Sequence, residues 1–231
     1  MVLMTAGYRQ HISVSEEIKD MVLADLVLTL AFSFAFVGGI FGVKNIGNLL
    51  YYVPIAFVAV SLSFILHEYM HKIVAQRYGA IAGFRRSDMG LLITLGTGIF
   101  GFLIGIPGAT MIYTSRFTSK EEGIVSIAGP LTNFAVFIGS FVLFLLVGQH
   151  GYIASALGVT MLISVLLAYF NMLPIYPLDG SKVLRWNKPV YVSFLLVLGA
   201  LLLFLGFSIF NLIYLFVIAF IFSIFYSGLR I

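Results

Sequence analysis

The sequence predicts an all-α membrane protein with six transmembrane helices and a short re-entrant segment, β-stranded in character, around residues 90–113. Two numbers and one pattern predict this class: 61% of the 231 residues are hydrophobic, only 10% are charged, and long apolar runs recur along the chain. Soluble domains are about half apolar and about a quarter charged, so this chain could not cover its apolar surface in water. No polar linker divides the sequence, and residues 1–231 are therefore predicted to form a single domain.

The first two predicted spans supply the roughly 20 apolar residues that a membrane-crossing helix needs. The first covers residues 21–43 and follows "SVSEEIKDM", where Ser13 or Ser15 suits the N-cap of a helix and the glutamates suit its positive end. The second covers residues 50–78 and is interrupted by the polar stretch "HEYMH", residues 67–71.

Residues 90–113 come next and are long enough to cross a membrane, but six glycines make them a poor helix. If they do not cross, 12 of the 13 lysines and arginines fall on one side, with Lys44 as the exception; if they do, the division becomes 6 to 7. Positive charge concentrates on the cytoplasmic side, which favours the first arrangement, with both termini in the cytoplasm. The segment then enters and leaves on one face, as two extended stretches near 91–97 and 99–106. The alternative is a glycine-rich packing helix.

The four remaining spans follow a polar run whose Glu121 and Glu122 suit the start of a helix. Pro174 and Pro177 cannot continue a helix, so they end the second of these spans before it reaches the cytoplasmic side. The last two spans are rich in Phe and Leu, as is typical of lipid-facing helices. The four predicted ranges are 123–148, 152–173, 189–207 and 209–229.

A polar motif, H-E-x-x-H, lies inside the second span at His67, Glu68 and His71. Residues four apart share one face of a helix, so the two imidazoles can grip a single zinc ion. The Glu68 carboxylate lies beside them, where it can accept a proton from a water molecule that the metal activates. The alternative is a pair of hydrogen-bonded interior histidines. Polar residues within membrane spans are rare and usually functional, which favours the metal site.

A zinc ion held by two histidines needs a further protein ligand, and no cysteine exists to supply it. His11 and His150 lie near predicted membrane edges, so a carboxylate is expected. Asp179 is favoured because the prolines of "NMLPIYPLDG", residues 171–180, turn it towards the interior. The alternative role for Asp179 is the N-cap of the following helix. The other candidate carboxylates are Asp20, Asp25, Asp88, Glu121 and Glu122.

Two separated motifs together resemble the site-2 protease family of intramembrane zinc metalloproteases. They are "HEYMH", residues 67–71, and "PIYPLDG", residues 174–180, which is preceded by Asn171. A third stretch, "AGPLTNF", residues 128–134, resembles the glycine-containing segment that the family carries between these motifs. The order and the separations match, and the resemblance covers the predicted catalytic core, from about residue 50 to about residue 186.

The resemblance implies that Glu68 acts as general base and general acid, and that each chain binds one zinc ion through His67, His71 and Asp179. It also implies that Asn171 binds substrate or stabilises the oxyanion, and Asn133 is a second candidate for this role. The implied reaction is hydrolysis of a peptide bond within or near the transmembrane segment of a membrane protein, in regulated intramembrane proteolysis. The re-entrant segment could then pair, strand to strand, with the locally unwound substrate.

Two other functions compete with proteolysis. A divalent-metal transporter would also carry intramembrane histidines and carboxylates, but the ionisable residues gather on the cytoplasmic half and no inverted repeat is evident. A catalytically inactive scaffold would not need Glu68. The expected partners are a transmembrane-helix protein substrate and the lipid bilayer, and no nucleic acid is expected, because the net charge of +4 reflects membrane topology. The expected location is the cell membrane, multi-pass, with the active site open to the cytoplasm.

Overall fold

Helices account for most of the computed structural model, which describes residues 2–4, 13–43, 46–114 and 117–228. They are α1 (Val14–Phe36), α2 (Ile46–Val60), α3 (Leu66–Arg77), α4 (Asp88–Ile99), α5 (Ser119–Val147), α6 (Tyr152–Asn171), α7 (Asp179–Trp186), α8 (Lys188–Phe204) and α9 (Ile209–Gly228). A π-helical segment, Ser61–Ile65, joins α2 to α3 without a break. The sequence features at Arg9, His11, Lys44, Arg116 and Arg230 lie outside the described residues.

Three helical stretches are long and apolar enough to cross a membrane: Gly47–Arg77, Ser119–Val147 and Tyr152–Asn171. They occupy the second, third and fourth predicted spans. Helices α1, α8 and α9 occupy the other three predicted positions. Within the described residues, none of these three is both long enough and apolar enough to cross a membrane. The prediction of six spans is therefore supported for three helices. α8 has 17 residues, and α1 carries Lys19, Asp20 and Asp25.

Glycines allow α1 and α4 to pack backbone against backbone. A Cβ atom at Gly98 of α4 would lie 2.6 Å from the Cα of Ala31 on α1. Just beyond the end of α1, a Cβ atom at Gly39 would lie 2.5 Å from the backbone nitrogen of Gly101. Gly39 also adopts a φ of 74°, which favours glycine. The turn that makes this contact ends α1 at Phe36, earlier than the predicted residue 43.

A small sheet packs beside α3, with its strands in the order β1 (Val2–Met4), β3 (Gly108–Tyr113), β2 (Ile81–Arg86). β2 and β3 are antiparallel, with Arg86 opposite Gly108, and β1 runs parallel to β3. Residues 87–107 therefore leave the sheet and return to it at one point, where the Ser87 N–H donates to the Pro107 carbonyl at 3.1 Å. The two ends of this loop therefore lie together, and its predicted entry to and exit from the membrane on one face stays a prediction.

The first half of the loop corrects the prediction. Residues 91–97 are not extended but lie within α4, so the glycine-rich helix is the right alternative for this stretch. Each glycine weakens a helix by only about 1 kcal/mol relative to alanine. The close contact with α1 and the N-cap at Ser87, whose hydroxyl oxygen accepts from the Gly90 N–H at 3.1 Å, outweigh that cost.

The second half of the loop, residues 102–107, contains no helix. The N–H of Ile104 donates to the Thr97 hydroxyl at 3.1 Å, and the N–H of Ile106 donates to the Thr94 hydroxyl at 2.9 Å. Because N–H groups two residues apart point the same way, this stretch has the alternation of an extended chain. The predicted extended stretch near 99–106 is wrong for residues 99–101, which end α4 and form a turn; from residue 102 onwards the N–H contacts fit an extended chain, but no strand is formed.

α5 is the helix that brings the two predicted metal motifs together, because both α3 and α7 pack against it. Its buried Val125 packs in one cluster with Ala75 of α3. Its buried Ile127 packs in another cluster with Met172 and with Val183 of α7. The region between α3, α5 and α7 is therefore a buried interior into which the motif side chains project.

Candidate metal centre

Two imidazoles face one another inside the helix bundle. His67 and His71 lie one turn apart on α3, with 2% and 0% of their surface exposed. Their Nε2 atoms are 3.0 Å apart, which follows from four-residue spacing on one helix face. The π-helical segment Ser61–Ile65 ends directly before them, and such segments are frequent at functional sites. The motif thus directs two nitrogen atoms at a single point.

Asp179 reaches the same point from the break after α6. This helix ends at Asn171, and the next helix, α7, begins at Asp179 itself. The Oδ2 atom lies 3.0 Å from Nε2 of His71 and 3.6 Å from Nε2 of His67. The N-cap of α7 is Leu178, so the alternative role of Asp179 as a helix cap is wrong.

The three side chains fit a metal ion. One ligand atom from each lies within 4.8 Å of the others. Tetrahedral zinc has bonds of about 2.0–2.1 Å to nitrogen and oxygen, so its ligand atoms are roughly 3.3–3.4 Å apart. The observed separations of 3.0, 3.0 and 3.6 Å bracket that value. Three protein ligands leave a fourth position for water, which is the arrangement of catalytic zinc sites.

Contacts from α5 fix the tautomer of one histidine and keep space in front of both. His71 Nδ1 lies 2.8 Å from the backbone carbonyl of Val125. A carbonyl only accepts hydrogen bonds, so Nδ1 donates its proton to Val125. In the neutral imidazole, Nε2 then presents a lone pair towards His67 and Asp179. A Cβ atom at Gly129 would lie 2.5 Å from Nε2 of His71 and 2.6 Å from Nε2 of His67. Glycine therefore leaves open a volume that any side chain would fill.

Asn133 lies against the other histidine. It is fully buried, and its Nδ2 lies 3.2 Å from His67 Nδ1, whereas its Oδ1 meets no donor among the described residues. A half-turn of the amide exchanges these two atoms. Oδ1 would then accept from the Nδ1–H of His67, and the histidine would present an unprotonated Nε2 to the metal. This position behind a candidate ligand differs from the predicted substrate or oxyanion role, which stays a prediction.

Glu68 turns towards the sheet, where Thr110 of β3 donates to it. The backbone N–H and the hydroxyl of Thr110 lie 2.8 and 2.7 Å from Glu68 Oε2. Thr110 could not be predicted from the sequence. No motif surrounds it, and the contact joins residues 42 positions apart, so local pattern carries no signal for it.

Lys182 is a second residue of the site that was not predicted from the sequence. It is 2% exposed, donates from Nζ to the Pro177 carbonyl at 2.8 Å and lies 3.9 Å from Asp179 Oδ1. Burial lowers the pKa of Lys182, and the Asp179 charge opposes this. Burial raises the pKa of Asp179, but its contacts with the two histidines hold that pKa well below its usual range. A lysine three residues after a candidate ligand on a helix was the available signal.

The remaining predicted candidates have other partners. The amide of Asn171 donates to the Leu167 carbonyl of its own helix at 3.0 Å, so its predicted substrate or oxyanion role stays a prediction. His150 is exposed in the turn before α6. Among the described residues, only His67, His71 and Asp179 form a cluster that could hold a metal ion. The other carboxylates pair as follows: Asp20 with Arg85 and Arg86, Asp88 with Arg86, Asp25 with Ser61, Glu121 with Thr118, and Glu122 with Arg185.

Three named proteins are similar to this chain. "Putative zinc metalloprotease MJ0611" of Methanocaldococcus jannaschii is 37% identical over 177 residues, which cover 76% of this chain and 86% of that protein. "Zinc metalloprotease MJ0392" of the same organism is 27% identical over 63% of this chain and 38% of its own length. "Putative zinc metalloprotease YwhC" of Bacillus subtilis is 30% identical over 57% of this chain and 68% of its own length. No protein-family model and no solved structure matches the chain.

Proposed function

The chain belongs to a family of zinc metalloproteases, and we propose that it is an intramembrane member of the site-2 protease type that cleaves within or near the transmembrane segment of a membrane protein. The relatives and the buried His-His-Asp group fit a zinc cofactor. The observation that carries the intramembrane proposal is the burial of this group in a chain with three apolar helices of membrane-spanning length. Regulated intramembrane proteolysis is the process that such a cleavage would serve.

Each residue of the site has a distinct task in hydrolysis. When bound, zinc supplies Lewis acidity, which makes water more acidic and polarises a carbonyl group. His67, His71 and Asp179 would hold the ion with two nitrogens and one oxygen. Glu68 takes a proton from the attacking water and passes it to the leaving amine. The buried surroundings strengthen these electrostatic interactions, because little bulk water screens them.

Removal and return of zinc test the proposed function. The purified protein in detergent should cleave a single-span membrane protein, lose this activity after dialysis against a chelator and recover it when zinc is added. Mass spectrometry of the products should place the cut within or beside the transmembrane segment. Cleavage that persists without metal, or that falls only far from the membrane segment, would contradict the proposal.

An apolar groove in the helix bundle suits an apolar substrate segment. One wall is formed by Leu103, Ile104, Gly105 and Pro107, and the other walls are apolar side chains of α1, α2, the π-helical segment, α6 and α9. These include Leu28, Phe32, Ile163, Leu167, Leu215 and Ile218. A helix hides its peptide bonds, so the substrate must unwind locally before attack. We place the unwound stretch along residues 102–107, since an extended chain can add to another extended chain.

Substitution at Gly105 tests this docking mode. Ile104 and Ile106 direct their N–H groups at α4. The N–H group of Gly105, which lies between them, therefore points the opposite way. This N–H group has no hydrogen-bond partner among the described residues. Gly105→Pro removes that donor and should lower kcat/KM about fivefold, since a backbone hydrogen bond contributes about 1 kcal/mol. Gly105→Ala is the matched control, because its Cβ would meet only Leu28 Cδ2 at 3.8 Å. Equal kcat/KM for the two zinc-loaded variants would exclude pairing through this group.

The membrane placement follows the sequence-based topology. We propose a multi-pass protein of the cell membrane with both termini in the cytoplasm and a site that opens to the cytoplasm, because basic residues concentrate on that side. The proposed partners are a transmembrane-helix substrate and the lipid bilayer, and nucleic acid is not among them. The divalent-metal transporter is not favoured, since the similar proteins are named as zinc metalloproteases.

A further inference from the structure

The Glu68 carboxylate is held by a strand and not by its own helix. Thr110 of β3 donates both its N–H, at 2.8 Å, and its hydroxyl, at 2.7 Å, to Oε2 of Glu68. The hydroxyl oxygen also lies 3.1 Å from the Glu68 backbone carbonyl. Thr110 is 0% exposed and Glu68 is 8% exposed, so these bonds form away from water.

Both bonds fall on one of the two carboxylate oxygens. Two donors on Oε2 fix the position and the rotation of the carboxyl group, and hydrogen bonds to a charged group are about twice as strong as neutral ones. No hydrogen bond is found for Oε1 within the part of the chain that the structure describes. The lone pairs of Oε1 therefore remain for a further proton donor.

We propose that Thr110 is a positioning residue that orients Glu68 so that Oε1 takes the proton of the attacking water. This inference rests on the proposed function, in which Glu68 is the general base. β3 begins at Gly108, directly after the extended stretch 102–107, so one continuous backbone holds both the base and the proposed docking segment. A displacement of about 1 Å in such a group can lower the rate about 100-fold.

The competing role for Thr110 is purely structural, in which it only supplies hydrogen bonds to a buried carboxylate. The two roles predict different measurements. A structural role predicts less folded or less zinc-loaded protein, with an unchanged kcat for each loaded molecule. A positioning role predicts a lower kcat at full zinc loading. The KM should stay the same, because the Thr110 hydroxyl is bonded to Glu68.

Three variants separate these roles. Thr110→Val keeps the shape and the N–H but loses the hydroxyl, and its kcat should fall by about 10- to 100-fold. Thr110→Ser restores the hydroxyl and should come within about threefold of the parent protein. The matched control is Thr160→Val, which removes a buried hydroxyl whose bond at 2.8 Å stays inside α6, and it should leave kcat unchanged. An unchanged kcat in Thr110→Val, or an equal loss in Thr110→Ser, would overturn the proposal.

Hydrogen exchange tests the Thr110–Glu68 contact without any substrate. In Glu68→Ala the Thr110 amide should exchange about tenfold faster than in the parent protein, because it loses its acceptor. Glu68→Gln keeps an acceptor oxygen and should retain most of the protection. Equal exchange in Glu68→Ala and the parent would remove the structural basis of the proposal. If no membrane protein is cleaved, the proposed function fails while this exchange result still stands for the contact itself.

Discussion

Glu68→Gln should lower kcat by about 10²- to 10⁴-fold while zinc stays bound, because a positioned general base contributes about that much to a rate. The amide keeps the size of the carboxylate and an acceptor for Thr110, but it cannot take a proton from water. Glu68 is not one of the three clustered candidate ligands, so its replacement should leave the zinc content unchanged. Initial rates on a single-span substrate and elemental analysis of the protein measure the two effects.

Glu122→Gln is the matched control for this variant. Glu122 pairs with Arg185 at 3.0 Å and lies outside the His-His-Asp cluster, so the same chemical change there should alter kcat less than about twofold. Two results would count against the role of Glu68. Activity above about a tenth of the parent level would exclude it as the general base, and loss of zinc would make it a ligand or a structural residue.

Asp179→Asn should weaken zinc binding by more than about 100-fold. Residues that hydrogen-bond to a metal ligand typically contribute about 10- to 100-fold to the metal affinity, so loss of a ligand itself should have a larger effect. Asparagine keeps the shape of the side chain but loses the charge that attracts the ion, and zinc sites in proteins use carboxylates in preference to amides. Competition with a chromogenic chelator measures the affinity, and the same loss is expected when His67 is replaced.

Asp88→Asn provides the control for Asp179→Asn. Asp88 is 78% exposed at the start of α4, where it pairs with Arg86 at 2.8 Å, so its neutralisation should leave zinc affinity unchanged. Circular dichroism should accompany both titrations, because Asp179→Asn removes the negative charge that lies 3.9 Å from the buried Lys182. Parent-like zinc affinity in Asp179→Asn would mean that the two imidazoles use a different third ligand, and the assigned metal centre would be wrong.

Features with a local cause could be predicted from the sequence. The shared face of His67 and His71 follows from helix periodicity. The break after Asn171 follows from two prolines that cannot continue a helix, and it delivers Asp179 to the imidazoles as expected. Both features depend on residues within a few positions of one another, so a single sequence contains the necessary information.

Features that depend on distant contacts could not be predicted in the same way. The glycines of residues 90–113 suit turns and strands as well as close helix packing, and only the contact of Gly98 with Ala31 decides for a helix. The placement of Thr110 on Glu68 and of Asn133 on His67 likewise depends on how separate elements meet. Neither residue lies in a periodic pattern that points to its partner.

The backbone contact between α1 and α4 has a thermodynamic consequence for peptide binding. With no side chain between the two helices at Gly98, α4 has little freedom to slide along α1. Its Thr94 and Thr97 in turn immobilise Ile104 and Ile106. The docking segment is then already ordered in the free protein, and the loss of conformational entropy on binding, about 1–2 kcal/mol per residue, falls on the incoming peptide alone.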